Sequence, residues 1–182
     1  KKSPVYIDCR KIISYVNERN QILDHAEKYI SKNNLTFEVI AGGETAGIPY
    51  ATFLADRLDK PMIYIRKKAK GFGKNQQIEG NVNNNQKVIL IEDLATDGGS
   101  KTIFVNALRK NKINISDILV IFYYNIFDIS KTPLASLNVN LHYLCSWENI
   151  INIIYKDKII STSEIEKLKF FLSNPEIWRK NN

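Results

Sequence analysis

Two adjacent carboxylates at the end of an apolar run are the residues of this sequence best suited to chemistry. Glu92 and Asp93 follow the apolar residues of VILIEDLATDGGSK (88–101), and a small loop with two consecutive glycines follows them. Backbone N–H groups at a helix start, approached closely past glycines, form a site for an anion such as phosphate. Carboxylates beside such a site bind Mg²⁺, sugar hydroxyls or an electron-poor carbon in a transition state. The alternative is a solvated acid pair before an ordinary turn, and the glycines favour the anion site.

Two further stretches indicate a ligand with two anionic ends. IAGGETAGIPY (40–50) places another glycine loop between an apolar run and a helical pattern, although a tight turn with Gly43 at positive φ would produce the same pattern. RKKAKGFGK (66–74) carries five basic residues, and about fourteen residues separate Arg66 from Gly80 in the loop that it opens. A loop of this length and charge is typical of a lid that closes over a polyphosphate, or of a solvated charge run.

The elements that must position these loops alternate along the chain. Short, mostly continuous apolar runs predict strands buried on both faces of a parallel sheet. They occupy 37–41, 61–65, 87–93, 117–124 and 139–145. Helical patterns cover 19–32, 46–58 and 100–110, where Ser100 or Thr102 is expected to cap, and SEIE (163–166) predicts the capping box of a late helix. Strands alternating with helices predict an α/β fold, whose ligands bind beyond the carboxyl ends of the strands, here at 42–47, 66–80, 93–100 and 124–132.

Composition narrows the class of protein. The 182 residues carry 26 Lys and Arg against 19 Asp and Glu, a net charge of +7 that is concentrated in the basic loop. This placement favours a compact polyanion over nucleic acid as the partner. We expect one domain over 1–182, located in the cytoplasm, because no apolar run reaches the ~18 residues of a membrane span and no signal peptide opens the chain. Cys9 and Cys145 have no metal-ligand spacing, and we expect both thiols to be inert.

The quoted stretches resemble a known family. VILIEDLATDGGSK resembles the ribose-phosphate motif of type I phosphoribosyltransferases, in which an apolar strand precedes two acids, two residues and T-x-G-[GT]. IAGGETAGIPYATFLADRL, PMIYIRKKAKGFGKNQQIEG and the opening KKSPVYID resemble the bacterial orotate phosphoribosyltransferases, and the resemblance covers nearly the whole chain in order. It implies the type I phosphoribosyltransferase fold, with a central, mostly parallel five-stranded sheet, helices on both faces and a small hood from the N-terminal region. It also implies transfer of phosphoribosyl from 5-phosphoribosyl 1-pyrophosphate (PRPP) to orotate, which gives orotidine 5′-monophosphate (OMP) and pyrophosphate in pyrimidine synthesis.

The resemblance assigns roles to residues. It implies that Glu92 and Asp93 lie beside the ribose hydroxyls and the developing positive charge, and that Lys67 and Lys70 complete the catalytic set. The 5′-phosphate loop would be Thr96, Asp97, Gly98, Gly99 and Ser100, the pyrophosphate loop Gly42, Gly43, Glu44 and Thr45, and the lid contacts Arg66, Lys67 and Lys70. Tyr6, Thr96 and Tyr124 would contact orotate. Mg²⁺ would be held mainly through PRPP, with no direct protein ligand unless Glu92 and Asp93 take part.

The resemblance also implies partners, and the sequence differs from the family's pattern at several positions. The resemblance implies a homodimer whose lid acts across the interface, and the next enzyme of the pathway is a further candidate partner. Phe72 stands where many relatives have His, Ala46 where they have Lys, and IFYYNIFDISK (121–131) has no Arg for the orotate carboxylate, which leaves Tyr124, Asn125 and Lys131 as candidates. The family's upstream helix and strand are absent, so we expect further residues upstream. Two alternatives stay open: transfer to another base, and a non-catalytic regulator that senses PRPP.

Overall fold

A six-stranded sheet organises the part of the chain that the computed structural model describes, residues 5–69 and 76–181. The strands are β1 (Val39–Gly43), β2 (Met62–Ile65), β3 (Ile78–Glu79), β4 (Lys87–Ala95), β5 (Asn114–Tyr123) and β6 (Asn140–Ser146). Their order is β3-β2-β1-β4-β5-β6, and every pair is parallel except β2 with β3. The mostly parallel α/β sheet is confirmed, but the expected number of five strands is wrong. The two-residue strand β3 is too short to leave an apolar pattern, and it pairs back onto β2 at the sheet edge.

Helices alternate with the strands. They are α1 (Cys9–Ile12), α2 (Val16–Lys32), α3 (Gly47–Arg57), α4 (Gly99–Lys110), α5 (Trp147–Lys156), α6 (Thr162–Ser173) and α7 (Pro175–Asn181). The helices expected over 19–32, 46–58 and 100–110 are therefore confirmed as α2, α3 and α4. The capping box was assigned two residues too late, because Ser161 caps α6 and exchanges hydrogen bonds with Glu164.

The central strands β1, β4 and β5 are buried on both faces, as their continuous apolar runs predicted, whereas the same prediction is wrong for β2 and for the edge strand β6, which are partly exposed. On β4, Ile89 and Ile91 pack on one side with α2, α3, α5 and α6, whereas Val88 and Leu90 pack on the other side with α4. Because alternate residues enter two different cores, both registers of the strand must be apolar. Among the described residues, no helix is long and apolar enough to cross a membrane.

This order of strands brings the informative loops together. β1 and β4 are neighbours, and Gly42 at the end of β1 lies opposite Ile91, one residue before the acid pair. Carboxyl ends of parallel strands meet at one edge of the sheet. The loop after β1 and the loop after β4 therefore open side by side.

Candidate active site

A cleft of about 290 Å³ lies beyond the carboxyl ends of β1 and β4. Four parts of the chain form its wall: the N-terminal segment, the loop after β1, Lys67 at the start of the basic loop, and the end of β4 together with the loop into α4. The lining residues are Tyr6, Ile7, Cys9, Arg10, Glu44, Thr45, Ala46, Lys67, Glu92, Asp93, Leu94, Thr96, Asp97, Gly98, Gly99, Ser100 and Lys101. Three of the four predicted loops thus contribute to one cleft, while the described lining includes no residue of 124–132.

Glu92 is the buried member of the acid pair. Its side chain is 5% exposed, and its Oε2 lies 2.7 Å from Nζ of Lys101, which is 6% exposed. Lys101 also donates to the carbonyl of Leu94 and to Oγ of Ser100. Burial raises the pKa of Glu92, and the charge of Lys101 opposes that rise. The first acid is therefore committed to an internal ion pair.

The glycines after β1 make room for this carboxylate. A Cβ on Gly43 would overlap the Glu92 carboxylate and stand 2.5 Å from the Phe104 ring. A Cβ on Gly47 would stand 2.5 Å from Glu92 Oε1. Within the described residues, glycines with positive φ occur at Gly80 and Gly98, so the alternative of a tight turn with Gly43 at positive φ is wrong. Close approach to Glu92, rather than a left-handed turn, requires glycine here.

Asp93 is the accessible member of the pair. It is half-buried, lines the cleft, and makes no hydrogen bond or ion pair with any residue that the structure describes. Two adjacent residues of a strand point to opposite faces, so one acid enters the interior when the other turns to the cleft. Both acids line the cleft, but the Glu92 side chain is nearly buried and Asp93 is half-buried, so the place of Glu92 beside the ribose stays a prediction.

The start of α4 has the geometry that an anion site requires. Gly98 is the residue before the helix and has φ +80°, with no side-chain cap, so the expectation that Ser100 or Thr102 caps this helix is wrong. Thr102 Oγ1 instead donates to the carbonyl of Gly98 over 3.3 Å, and Asp97 Oδ1 accepts from the N–H of Gly99 over 3.3 Å. The first N–H groups of a helix have no helical acceptor. Those of α4 lie at the cleft, where the helix dipole favours an anion.

The loop after β1 is tied to the start of the basic loop. The N–H of Lys67 donates to Oε2 of Glu44 over 2.6 Å, and the N–H of Glu44 donates to the carbonyl of Ile65 over 2.9 Å. Arg66 is turned away from the cleft, with Nη1 3.9 Å from Oε1 of Glu79 on β3. Lys70 lies outside the described residues, as does Phe72. The contacts of Arg66 and Lys70 with pyrophosphate therefore stay predictions.

The N-terminal segment closes the other end of the cleft. Tyr6 is 66% exposed, and Nη2 of Arg10 donates to its hydroxyl over 2.6 Å. The pKa of Cys9 is raised to about 12, first by burial and then by the charge of Asp93, so this thiol stays neutral.

Two tyrosines of the core hold the main chain of this segment. The hydroxyl of Tyr50 donates to the carbonyl of Cys9 over 2.5 Å, and the N–H of Ile7 donates to the hydroxyl of Tyr124 over 3.4 Å. Tyr124 is buried against Phe122 and Trp147, behind the cleft. Tyr124 does not line the cleft, and its hydroxyl accepts a hydrogen bond from the N–H of Ile7. Its expected contact with the base stays a prediction without support from this geometry.

Two charged residues of the cleft, Arg10 and Lys101, were not predicted from the sequence. Lys101 had a readable signal, because a cation in the first turn of a helix opposes the helix dipole and so requires a local partner. Arg10 had no such signal, since its place depends on how the segment before α1 folds back over β4.

Comparisons with known proteins agree with this geometry. Residues 13–125 match the model of the phosphoribosyl transferase domain family. A protein named orotate phosphoribosyltransferase from Ruegeria sp. (strain TM1040) is 43% identical over 182 residues, which is 99% of this chain and 80% of that protein. The solved orotate phosphoribosyltransferase from Aeropyrum pernix has a TM-score of 0.74 and 27% identity, and the match covers 88% of either chain. UMP synthase from Leishmania donovani shares the fold, with a TM-score of 0.81 at 23% identity over 96% of this chain and 37% of that one.

Proposed function

The chain belongs to the orotate phosphoribosyltransferases, and we propose that it transfers the phosphoribosyl group of PRPP to orotate, giving OMP and pyrophosphate. The observation that carries this proposal is that two glycine-containing loops and one accessible acid line the same cleft. The start of α4 and the loop after β1 both open into it, and Asp93 at the end of β4 lines it as well. A ribose with a phosphate at one end and a pyrophosphate at the other has the matching arrangement of charge.

The 5′-phosphate suits the loop from Thr96 to Ser100. Its glycines allow close approach of a phosphate, and the N–H groups of the first turn of α4 provide donors. The pyrophosphate suits the loop that contains Glu44 and Thr45, which is joined to Lys67 through the hydrogen bond from the Lys67 N–H to Glu44. Held at both ends, the sugar presents its C1′ atom to the base that enters beside Tyr6.

Asp93 is the acid that we assign to the reacting sugar. In the reaction the C1′–O bond to pyrophosphate breaks and a bond from C1′ to N1 of orotate forms, through a transition state with positive charge on the ribose. An accessible carboxylate next to the ribose stabilises that charge, because it is already oriented when the charge develops. Glu92 acts through the fold in this scheme, since its carboxylate is paired with Lys101.

The residues of the cleft fit a magnesium ion that arrives with PRPP. Mg²⁺ is commonly held by one or two carboxylates together with substrate phosphates. The described residues contain no group of three or more His, Cys, Asp or Glu side chains placed to hold a metal, whereas Glu44 and Asp93 offer single carboxylates at the cleft. When bound, the ion would neutralise charge on the leaving pyrophosphate.

The proposal keeps further expectations from the sequence, on the domain, the lid and the partners. The chain acts as one domain in the cytoplasm, the basic loop of 66–80 closes over the leaving pyrophosphate, and Lys70 joins Lys67 in neutralising it. The working form is a homodimer in which that loop reaches the neighbouring cleft. The next enzyme of pyrimidine synthesis is the candidate partner beyond the dimer.

One assay tests the function. The full chain is mixed with PRPP, Mg²⁺ and orotate, and the loss of orotate absorbance is followed over time. Turnover with orotate is expected. Turnover with uracil or a purine but not with orotate would contradict the choice of base, and no turnover with any base would favour a sensor of PRPP.

A matched pair of variants tests the assignment of the acid. Asp93→Asn removes the carboxylate charge at the ribose and is expected to lower kcat by about 10²-fold or more, by analogy with other groups that stabilise transition-state charge. Asp56→Asn, an exposed acid on α3, is the control and is expected to leave kcat unchanged. If Asp93→Asn unfolds the protein but leaves the activity of the folded fraction intact, Asp93 has a structural role instead.

A further inference from the structure

Three cationic side chains line the cleft within the described residues, and each lies at a different place. Lys101 is fully used, because its ammonium group has three donors and is bonded to Glu92, Leu94 and Ser100. Lys67 stands at the pyrophosphate end, where its N–H binds Glu44. Arg10 is the remaining cation, and it stands at the Tyr6 end, where the base enters.

The guanidinium of Arg10 has donors to spare. Its side chain is 64% exposed, its Nη2 donates to the hydroxyl of Tyr6 over 2.6 Å, and its Nε lies 3.9 Å from Oδ1 of Asp8. A guanidinium carries five N–H donors, so most of them remain for a ligand. The pKa of Arg10 is raised first by the hydrogen bond and the electrostatic interaction with Tyr6, then by the charge of Asp8 and last by that of Asp93, which agrees with a position at the mouth of the cleft.

We propose that Arg10 binds the carboxylate of the incoming pyrimidine and so selects orotate over bases that lack this group. The inference rests on the proposed function and names the residue that sets its specificity. A guanidinium binds a carboxylate through two parallel hydrogen bonds, a geometry that a lysine ammonium does not provide. Tyr6, already bonded to Arg10, offers an aromatic face to the flat ring.

The segment after β5 does not provide a better cation within the cleft. The residues 121–131 contain no arginine, Tyr124 is buried behind the cleft, and Lys131 is exposed and lies 3.8 Å from Asp128. None of these residues is part of the described cleft lining. Arg10 therefore takes the place for which Tyr124, Asn125 and Lys131 were the candidates from sequence.

Binding of two nucleotides isolates the carboxylate contact. OMP and uridine 5′-monophosphate (UMP) share the sugar, the phosphate and the ring, and they differ in the carboxylate. Calorimetry gives the Kd of each nucleotide for the full-length wild-type chain and for Arg10→Gln and Arg10→Lys. Lys11→Gln is the matched control, because Lys11 is the next residue on α1, is exposed and does not line the cleft.

The expected result is a selective loss. Arg10→Gln should raise the Kd of OMP by about 10- to 100-fold, the usual effect of losing hydrogen bonds to a charged group. The Kd of UMP should stay within about twofold of its wild-type value. Arg10→Lys should fall between wild type and Arg10→Gln, because it keeps the charge and loses the paired geometry. Lys11→Gln should match wild type for both nucleotides.

Two outcomes overturn the inference, and a third separates it from the function. Equal weakening of OMP and UMP by Arg10→Gln would assign Arg10 to the common part of the nucleotide. An unchanged OMP affinity would remove Arg10 from the site, even where the wild type turns over orotate normally. A wild-type chain that neither binds OMP nor turns over orotate would refute the proposed function itself, and this inference with it.

Discussion

Replacing Lys101 with methionine tests whether Glu92 is held in the interior as a charged group. Methionine keeps most of the length of the lysine and removes the charge that lies 2.7 Å from the carboxylate. Glu92 is 4% exposed and packed against Gly43 and Gly47, so its carboxylate has little contact with the water of the cleft. In Lys101→Met the buried carboxyl is therefore expected to take up a proton.

That protonation sets the size of the effect. Each pH unit costs about 1.4 kcal/mol, so protonating a carboxyl with an ordinary pKa of about 4.3 costs roughly 3.7 kcal/mol at pH 7 and about 1 kcal/mol at pH 5. The variant raises the folded-state pKa of Glu92, so its stability relative to wild type is lost as pH rises above the unfolded pKa. Loss of the hydrogen bonds to Leu94 and Ser100 adds about 1 kcal/mol each at either pH.

The free energy of unfolding in urea, followed by tryptophan fluorescence at pH 5 and pH 7, measures the effect. Lys101→Met is expected to lose about 2.7 kcal/mol more at pH 7 than at pH 5. The double variant Glu92→Gln with Lys101→Met has no carboxyl to protonate, so its loss should be the same at both pH values. At pH 7 it should be more stable than Lys101→Met alone, a coupling between the two sites.

Either of two results would refute this reasoning. If Lys101→Met loses the same free energy at pH 5 and pH 7, Glu92 reaches solvent and keeps its charge. If the double variant is as unstable as Lys101→Met at pH 7, the loss comes from packing and not from an unpaired acid.

Three further predictions follow from the contacts of single residues. Gly43→Ala should lower the free energy of unfolding by about 1–3 kcal/mol, since its Cβ would overlap Glu92, whereas Gly99→Ala, whose Cβ would lie 3.7 Å from Asp97 Oδ1, should cost less than about 1 kcal/mol in the same urea titration. Cys9 should not react with an aromatic disulfide reagent at about pH 8 in the folded protein, because its pKa is about 12, and prompt labelling there would contradict its burial. Asp117→Asn should lower the free energy of unfolding at neutral pH. Burial alone would raise the pKa of Asp117, but three side-chain hydrogen bonds lower it below the ordinary value of 3.8. The difference in free energy of unfolding from wild type should therefore persist to below pH 3.8 and vanish only at more acid pH.

The fold was largely readable from the sequence because its main strands are buried on both faces. Continuous apolar runs such as 87–93 and 117–124 are shorter than most helices and lack the alternation of a half-exposed strand, so they favour a strand inside a parallel sheet. The helix α5 was missed although WENIINIIYK follows a serine, because the aromatic and β-branched residues there look equally like a strand. The strand β3 was missed because two residues are too few to show a hydrophobic periodicity.

The site was only partly readable, for a different reason. The loops were found from glycines and acids that are local in sequence, and the structure brings them together. Glu92 is buried and Asp93 is accessible because of contacts between β1, β4 and α4, and no local sequence pattern encodes those contacts. Gly43 shows this clearly, since the atom it must avoid belongs to a residue 49 positions away.

The two tyrosine hydroxyls that hold the N-terminal segment have a consequence for changing what the protein accepts. Tyr50 and Tyr124 bind the carbonyl of residue 9 and the N–H of residue 7, which every amino acid except proline provides equally. These two anchors are therefore independent of the exposed side chains at positions 6 and 10. Positions 6 and 10 are suited to a combinatorial library that selects for new bases, because randomising them alters the surface presented to the base and leaves both anchors of the backbone in place.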